Sequence, residues 1–254
     1  MTSVYDSERL AAAYAFDRPP VHERILQSAR LARRADRALD VGCGAGVSTA
    51  ALATRARRVV GLEPIAAMLA HRGSVAPDAS FVVGRAERLP FAAGSFDLVT
   101  AAGSLNYADL PSALSEIARV LTADGRFLLY DFSDGRRSVS GGDLDAWFAS
   151  FEQRFPPDPD WRPFEVRALP LADYGLRLLE FADVETRLPM DFDAYLRYAL
   201  SGTNVEKAVA TGSSTREAAS AWCRTTLEPV FANGPLTVVI PGHVATLART
   251  PEPG

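Results

Sequence analysis

The 254-residue chain holds two cysteines, three histidines and a single lysine, and each scarcity closes off a chemistry. Schiff-base catalysis would have to run through Lys207, which no ligand-binding motif accompanies. Cys43 and Cys223 cannot form a disulfide framework and suit a reducing cytoplasm. With His22, His71 and His243 scattered along the chain, no metal-ligand cluster is apparent and no metal site is expected, although Asp131 and Asp134 leave a divalent cation open. No apolar run is long enough to span a bilayer, and Asp6, Glu8 and Arg9 interrupt the N-terminus, so neither a membrane contact nor a signal peptide is expected. The net charge of −4, with no Lys/Arg-rich tract, leaves no footprint for nucleic acid. Arginine outnumbers lysine enough to suggest a GC-rich bacterial genome. What remains is 48% hydrophobic and 23% charged, enough to bury one full α/β core plus an addition.

Within that composition one segment stands out. Ala38 to Val41 reads as a buried strand running into Gly42-Cys43-Gly44-Ala45-Gly46, and Val47 to Leu52 opens a helix behind it. Three glycines in five positions let the backbone approach a ligand where a Cβ would collide, and the helix amides point at whatever sits there. The dinucleotide pattern G-x-G-x-x-G fails at Val47, and the Gly-Lys-Ser/Thr ending of a phosphate loop is absent. A second strand, Arg58 to Leu62, ends in Glu63, placed to accept hydrogen bonds from both hydroxyls of an unmodified ribose. Further strands are predicted at Ser80 to Val83, Ser95 to Ala101 and Gly125 to Tyr130, with an amphipathic helix from Leu110 to Leu121.

Leu39 to Gly46, Glu63-Pro64 with Met68-Leu69, Gly84 to Phe91 with Ser95-Phe96-Asp97, and Glu116 to Leu121 before Gly125 together resemble a class I S-adenosylmethionine-dependent methyltransferase. The subgroup is that of the ubiquinone/menaquinone-biosynthesis methyltransferases, and the likeness runs from about Arg37 to Ser133. It implies an α/β Rossmann-like fold: a seven-stranded, mostly parallel sheet with helices on both faces, an antiparallel last strand and an added helical lid. It implies a cofactor, S-adenosylmethionine, leaving S-adenosylhomocysteine as product. Carried over residue by residue, Asp40, Gly42, Cys43, Gly44 and Gly46 face its methionine end, and Glu63 with the adjoining Pro64 faces the ribose. Arg85, Ala86 and Glu87 border the adenine, and Met68 presses its thioether on the adenine face. Many relatives carry aspartate where this chain has Arg85. Arginine has no acceptor for the adenine amino group, so Arg85 is expected to turn outward.

Chemistry is expected after the fourth strand, where Ala102, Gly103 and Ser104 border the cofactor and Leu105-Asn106-Tyr107 face the acceptor. Methyl transfer from a sulfonium is an in-line displacement, which asks the protein mainly to align the acceptor and exclude water. Asn106 and Tyr107 are candidates to orient the acceptor, against a reading as capping and packing at a strand end. His22 is the best placed of the histidines to take a proton, against a purely structural role.

The expected organisation is a single domain over 1–254. Residues 1–30 form an N-terminal cofactor lid, with Tyr5 and Tyr14 touching the cofactor and a break at Pro19-Pro20. Residues 36–133 form the cofactor-binding core, and 134–235 form substrate-cap insertions interleaved with a sixth strand at Val184 to Leu188. Residues 236–249 form the last strand, bent at Pro241-Gly242. The cap carries 13 of the 23 aromatics, Trp147, Trp161 and Trp222 among them, and is Pro-rich around Phe155 to Pro159. Its composition fits a medium-sized, partly apolar substrate, and Arg136, Arg137, Arg162 and Arg167 are available to an acidic one. The expected function is methylation of such a small molecule by a cytoplasmic monomer or homodimer. The alternatives are a cofactor-retaining enzyme for a cyclisation or rearrangement, a non-catalytic partner subunit, and a nicotinamide-dependent oxidoreductase, which lacks its fingerprint.

Overall fold

A computed structural model describes residues 5–157 and 162–251. The core strands are β1 (Ala35–Val41), β2 (Ala56–Glu63), β3 (Ser80–Val83), β4 (Phe96–Ala102) and β5 (Leu121–Phe132), joined by α3 (Val47–Leu52), α4 (Arg72–Val75) and α5 (Leu110–Val120). They follow α1 (Glu8–Phe16) and α2 (His22–Ser28). The sheet order is β3-β2-β1-β4-β5, all parallel, then β8 (Leu236–Arg249) antiparallel to β5. Strand order reverses between β1 and β4, so the loops behind their carboxyl ends diverge and open a crevice at the glycine turn.

Local sequence explains the elements. β4 is buried along nearly its whole length, as a parallel strand covered on both faces must be. In α5, Asp109 accepts the Ser112 amide as N-cap, Pro111 sits in the first turn, and Ala113, Leu114, Ile117, Ala118 and Val120 turn one stripe onto the sheet. That stripe covers one face with Leu39, Val99, Phe127 and Leu129. The other face is covered by α2, through Val21, Ile25 and Leu26, and by the cap.

The sheet departs from the expected seven strands. A two-residue strand, β6 (Arg137–Ser138), pairs with Val239 and Val238 of β8, making eight. The expected sixth strand is a 15-residue β7 (Leu176–Met190), paired antiparallel with β8 along its whole length. Its exposed positions weaken any hydrophobic signal, and the ladder to β8 holds it instead. After Glu63 the chain forms a 3₁₀ segment, Ala66–His71, followed by the single turn of α4.

The far halves of β7 and β8 run past the carboxyl edge of the parallel strands and carry α7 (Phe192–Leu200), α8 (Thr203–Ala210) and α9 (Arg216–Leu227) between them. With α6 (Leu144–Arg154) these make the cap. Its aromatics are core: Trp147 stacks on Phe151 and packs edge-on against Tyr195, and its indole N–H donates to Thr226 Oγ1 at 2.9 Å. Pro159 and Trp161 lie outside the described residues. The chain does break at Pro19-Pro20, between α1 and α2.

Helix α1 crosses the sheet edge and packs over Ala66–His71, with the Phe16 ring against His71. Glu206 of α8, buried, ties it to the cap by accepting from Ser7, Arg9 and Arg216. One acid therefore joins the N-terminal segment to two cap helices. Replacing Glu206 with Ala should leave the sheet intact and loosen α1. Amide hydrogen exchange of residues 8–16 should speed up by about tenfold or more, equivalent to over ~1.4 kcal/mol of local opening; unchanged protection there would contradict the tie.

Candidate active site

The glycine turn is braced from below. Asp40, fully buried at the end of β1, accepts from Ser48 Oγ at 2.6 Å, Thr49 Oγ1 at 2.8 Å and Thr100 Oγ1 at 2.9 Å. Burial pushes its carboxyl above the usual range against those three donors. Both oxygens are engaged by hydroxyls of α3 and β4, so Asp40 fixes the turn from inside while the backbone of Gly42 to Gly46 faces the crevice. Gly42 has φ +69°, and a Cβ there would overlap the Ser104 side chain, whose hydroxyl donates to the Val41 carbonyl at 2.6 Å. The first two amides of the turn, Gly42 and Cys43, donate to Leu62 O. Cys43 is a buried, inert thiol, its pKa raised by desolvation and by Asp40 and Glu63.

Glu63 lies across the turn at the end of β2. Its two oxygens accept from the Gly44 amide at 3.0 Å and the Ile65 amide at 3.1 Å, and burial raises its pKa. No arginine or lysine of the described residues pairs with it, which leaves a buried carboxyl held by two backbone amides. Met68 is buried on the next segment, its methyl 3.8 Å from where a Gly44 Cβ would stand. Pro64 is exposed beside it. After β3, the Arg85 side chain is 70% exposed and pairs with Glu87 at 3.2 Å. Glu87 also accepts the Asp109 amide at 3.1 Å, while Ala86 packs on the core.

The loop after β4 turns sharply at Gly103, φ +61°, where a Cβ would stand 2.6 Å from Asp131 Oδ1. Ala102, Gly103 and Ser104 are half-buried at the strand end. Asn106 is buried and donates to Asp131 Oδ2 at 3.1 Å, so it is held by the end of β5. Tyr107 is 44% exposed, and its ring meets Tyr5 edge-on at 5.8 Å. Tyr5 in turn meets Tyr14 at 6.3 Å. The N-terminal segment thus reaches the loop behind β4.

His22 Nδ1 lies 3.0 Å from the Tyr130 hydroxyl, and its ring packs edge-on against Tyr130 and Phe132. Burial, and then the positive charge of Arg18, lower its pKa to about 4. The imidazole is therefore neutral near neutral pH. His71 and His243 stand apart from it: His71 packs on Phe16, and His243 stacks on Phe181 at 5.3 Å. Among the described residues no group of three or more His, Cys, Asp or Glu is arranged to hold a metal ion.

Arg18 and Tyr130 carry no sequence motif, and the sequence reading missed both. Arg136, Arg137 and Arg167, singled out for an acidic substrate, are committed to Glu152, Glu185 and Glu165. Arg162 donates its backbone amide to the Asn106 carbonyl at 3.2 Å.

A sheet of this order with a glycine turn and a ribose-type acid at its switch point defines the class I methyltransferase fold. Residues 39–129 match the family model "Methyltransferase domain". A demethylmenaquinone methyltransferase of Beutenbergia cavernae is 42% identical over 103 residues, 40% of this chain and 43% of that protein. An uncharacterised methyltransferase of Bacillus subtilis, YcgJ, is 28% identical over 206 residues, 76% of this chain and 78% of its own length. The solved structure of a putative type II methyltransferase from Anaeromyxobacter dehalogenans superposes with a TM-score of 0.64 at 23% identity, covering 92% of this chain and 98% of that one. Residues 39–129 thus carry a methyltransferase domain, and this core is similar to that of the demethylmenaquinone methyltransferase. No helix among the described residues is long and apolar enough to cross a membrane.

Two outcomes test this geometry. Gly42→Ala should lose about 3 kcal/mol in urea unfolding, from a left-handed backbone plus the overlap with Ser104; a loss under ~1 kcal/mol would mean that the turn adapts. His22 should titrate by NMR near 4 rather than at the ordinary 6.5. Because the folded value is the lower one, its stabilising contribution is complete above pH 6.5 and fades as pH falls toward 4. A midpoint near 6.5 would contradict the enclosed imidazole.

Proposed function

We propose that the protein transfers a methyl group from S-adenosylmethionine to a small, partly apolar biosynthetic intermediate bound between the sheet edge, the N-terminal segment and the cap. The observation that carries the reading is the pairing of Glu63 with the Gly44 amide across a turn whose three glycines all hold positive φ, with no room for a Cβ at Gly42. The residues fit the cofactor: a desolvated carboxyl for a ribose diol, a glycine backbone without side chains for an amino-acid end, and the Met68 thioether for the adenine face.

When bound, the cofactor supplies an electrophilic methyl group on a sulfonium. Glu63 accepts the two ribose hydroxyls, Gly42 to Gly46 line the methionine end with Cys43 packed beneath, and Asp40 holds the turn. Ala86, Glu87 and the backbone at Arg85 border the adenine, and Pro64 flanks it. Ala102, Gly103 and Ser104 form the floor. Tyr5 and Tyr14, with the rest of residues 1–30, exclude water, and the 134–235 insertions cover the acceptor. Asn106 and Tyr107 orient the acceptor. In the tautomer that donates Nδ1–H to Tyr130, the His22 Nε2 is the atom that takes a proton from an acidic acceptor.

Glu63→Ala should weaken S-adenosylmethionine binding by about 2 kcal/mol, roughly thirtyfold, through two lost charge-assisted hydrogen bonds. Calorimetric titration of both proteins reads it directly; equal affinities would move the cofactor elsewhere. S-adenosylhomocysteine formed in proportion to methylated product separates methyl transfer from a cyclisation or rearrangement on the same scaffold.

A further inference from the structure

The cap and the N-terminal segment enclose one cation that none of the site's chemistry uses. Arg18 follows α1 and points in under the cap. Its guanidinium carbon lies over Tyr14, 4.3 Å from the ring centre, and 5.8 Å from that of Tyr198 on α7. One Nη donates to the Ser201 carbonyl at 3.2 Å, and the Nε–H is buried with no acceptor. No carboxylate among the described residues forms an ion pair with it. The nearest charge that acts on it is Asp134, which is engaged by the Tyr198 hydroxyl at 3.1 Å.

What sets Arg18 apart is the missing carboxylate: Arg9 also has a buried Nε–H without an acceptor but pairs with Glu206, and Arg119 spends its guanidinium on both oxygens of Glu116 and on two backbone carbonyls. A buried guanidinium N–H without an acceptor is unfavourable, and the planar guanidinium takes a carboxylate through two parallel hydrogen bonds. Its surroundings suit that use. The charge of Arg18 reaches His22, the group proposed to take the proton, and Tyr5, which touches Tyr107 behind β4. The rings of Tyr14 and Tyr198 beside it suit a flat apolar body.

We propose that Arg18 is the anion receptor of the acceptor site and that the methyl acceptor is an organic acid: a flat, largely apolar body carrying a carboxylate that pairs with the Arg18 fork. The inference rests on the cofactor reading above, because it takes the acceptor to bind where the N-terminal segment and the cap meet beside that site. The carboxylate anchors rather than reacts, and Arg18 is a specificity-determining residue.

The test uses the full chain saturated with S-adenosylhomocysteine, titrated with 2-naphthoate and its neutral isostere 2-naphthamide. Wild type should bind the acid at least tenfold tighter than the amide. Arg18→Met should abolish that gap, and Arg18→Lys should restore part of it. Arg18→Gln reads the same loss if the Met variant does not fold. No binding of 2-naphthoate, an equal affinity for acid and amide in wild type, or a gap that survives in Arg18→Met or Arg18→Gln would overturn the proposal. Failure to bind S-adenosylhomocysteine is a separate result that would overturn the cofactor reading instead; the acid and amide titrations are then repeated without it and judge Arg18 by the same criteria.

Discussion

Three hydroxyls converging on one buried carboxylate hold the site together. Asp40 draws Ser48 and Thr49 from the start of α3 and Thr100 from β4 into one cluster at the end of β1. The switch point of the sheet, where β1 and β4 part company, is thereby locked against splaying. The glycine turn above it inherits a fixed path, and the floor residue Ser104 is set against Gly42. A carboxylate that has lost its water is costly unless fully hydrogen-bonded. Each of the three donors is therefore a constraint on the geometry and more than a contact.

A second layer of the same logic closes the site from above. Glu206, buried in the cap, gathers Ser7 and Arg9 from the N-terminal segment and Arg216 from α9. The lid and the cap share one anchor, so opening one disturbs the other. The rings of Tyr5, Tyr14 and Tyr107 join the N-terminal segment to the loop after β4, and His22 sits against the end of β5, kept neutral by burial.

How much of this the sequence carried varied with the physics behind each element. Parallel strands buried on both faces give unbroken apolar runs, so β1, β2 and β4 were readable together with the acid that ends β2. The glycines were readable because a tight turn and a close approach both demand them. β7 was readable only in part, since half of its residues face solvent and its length is set by pairing with β8 rather than by its own pattern. The two-residue β6 leaves no pattern at all. Arg18 and Glu206 were invisible for another reason. Their partners lie 183 and 199 residues away in sequence, and one arginine among many has no periodicity to betray it. Three of the four arginines that composition suggested for an acid turned out to be paired with glutamates.

The account turns on whether the Glu63 carboxylate and the Gly42 to Gly46 turn hold the cofactor. A crystal structure with S-adenosylhomocysteine tests this most directly. Both ribose hydroxyls should lie within hydrogen-bond distance of Glu63, with the homocysteine end against the glycine turn. Ligand density away from Glu63, with its carboxylate still closed on the Gly44 amide, would contradict the account.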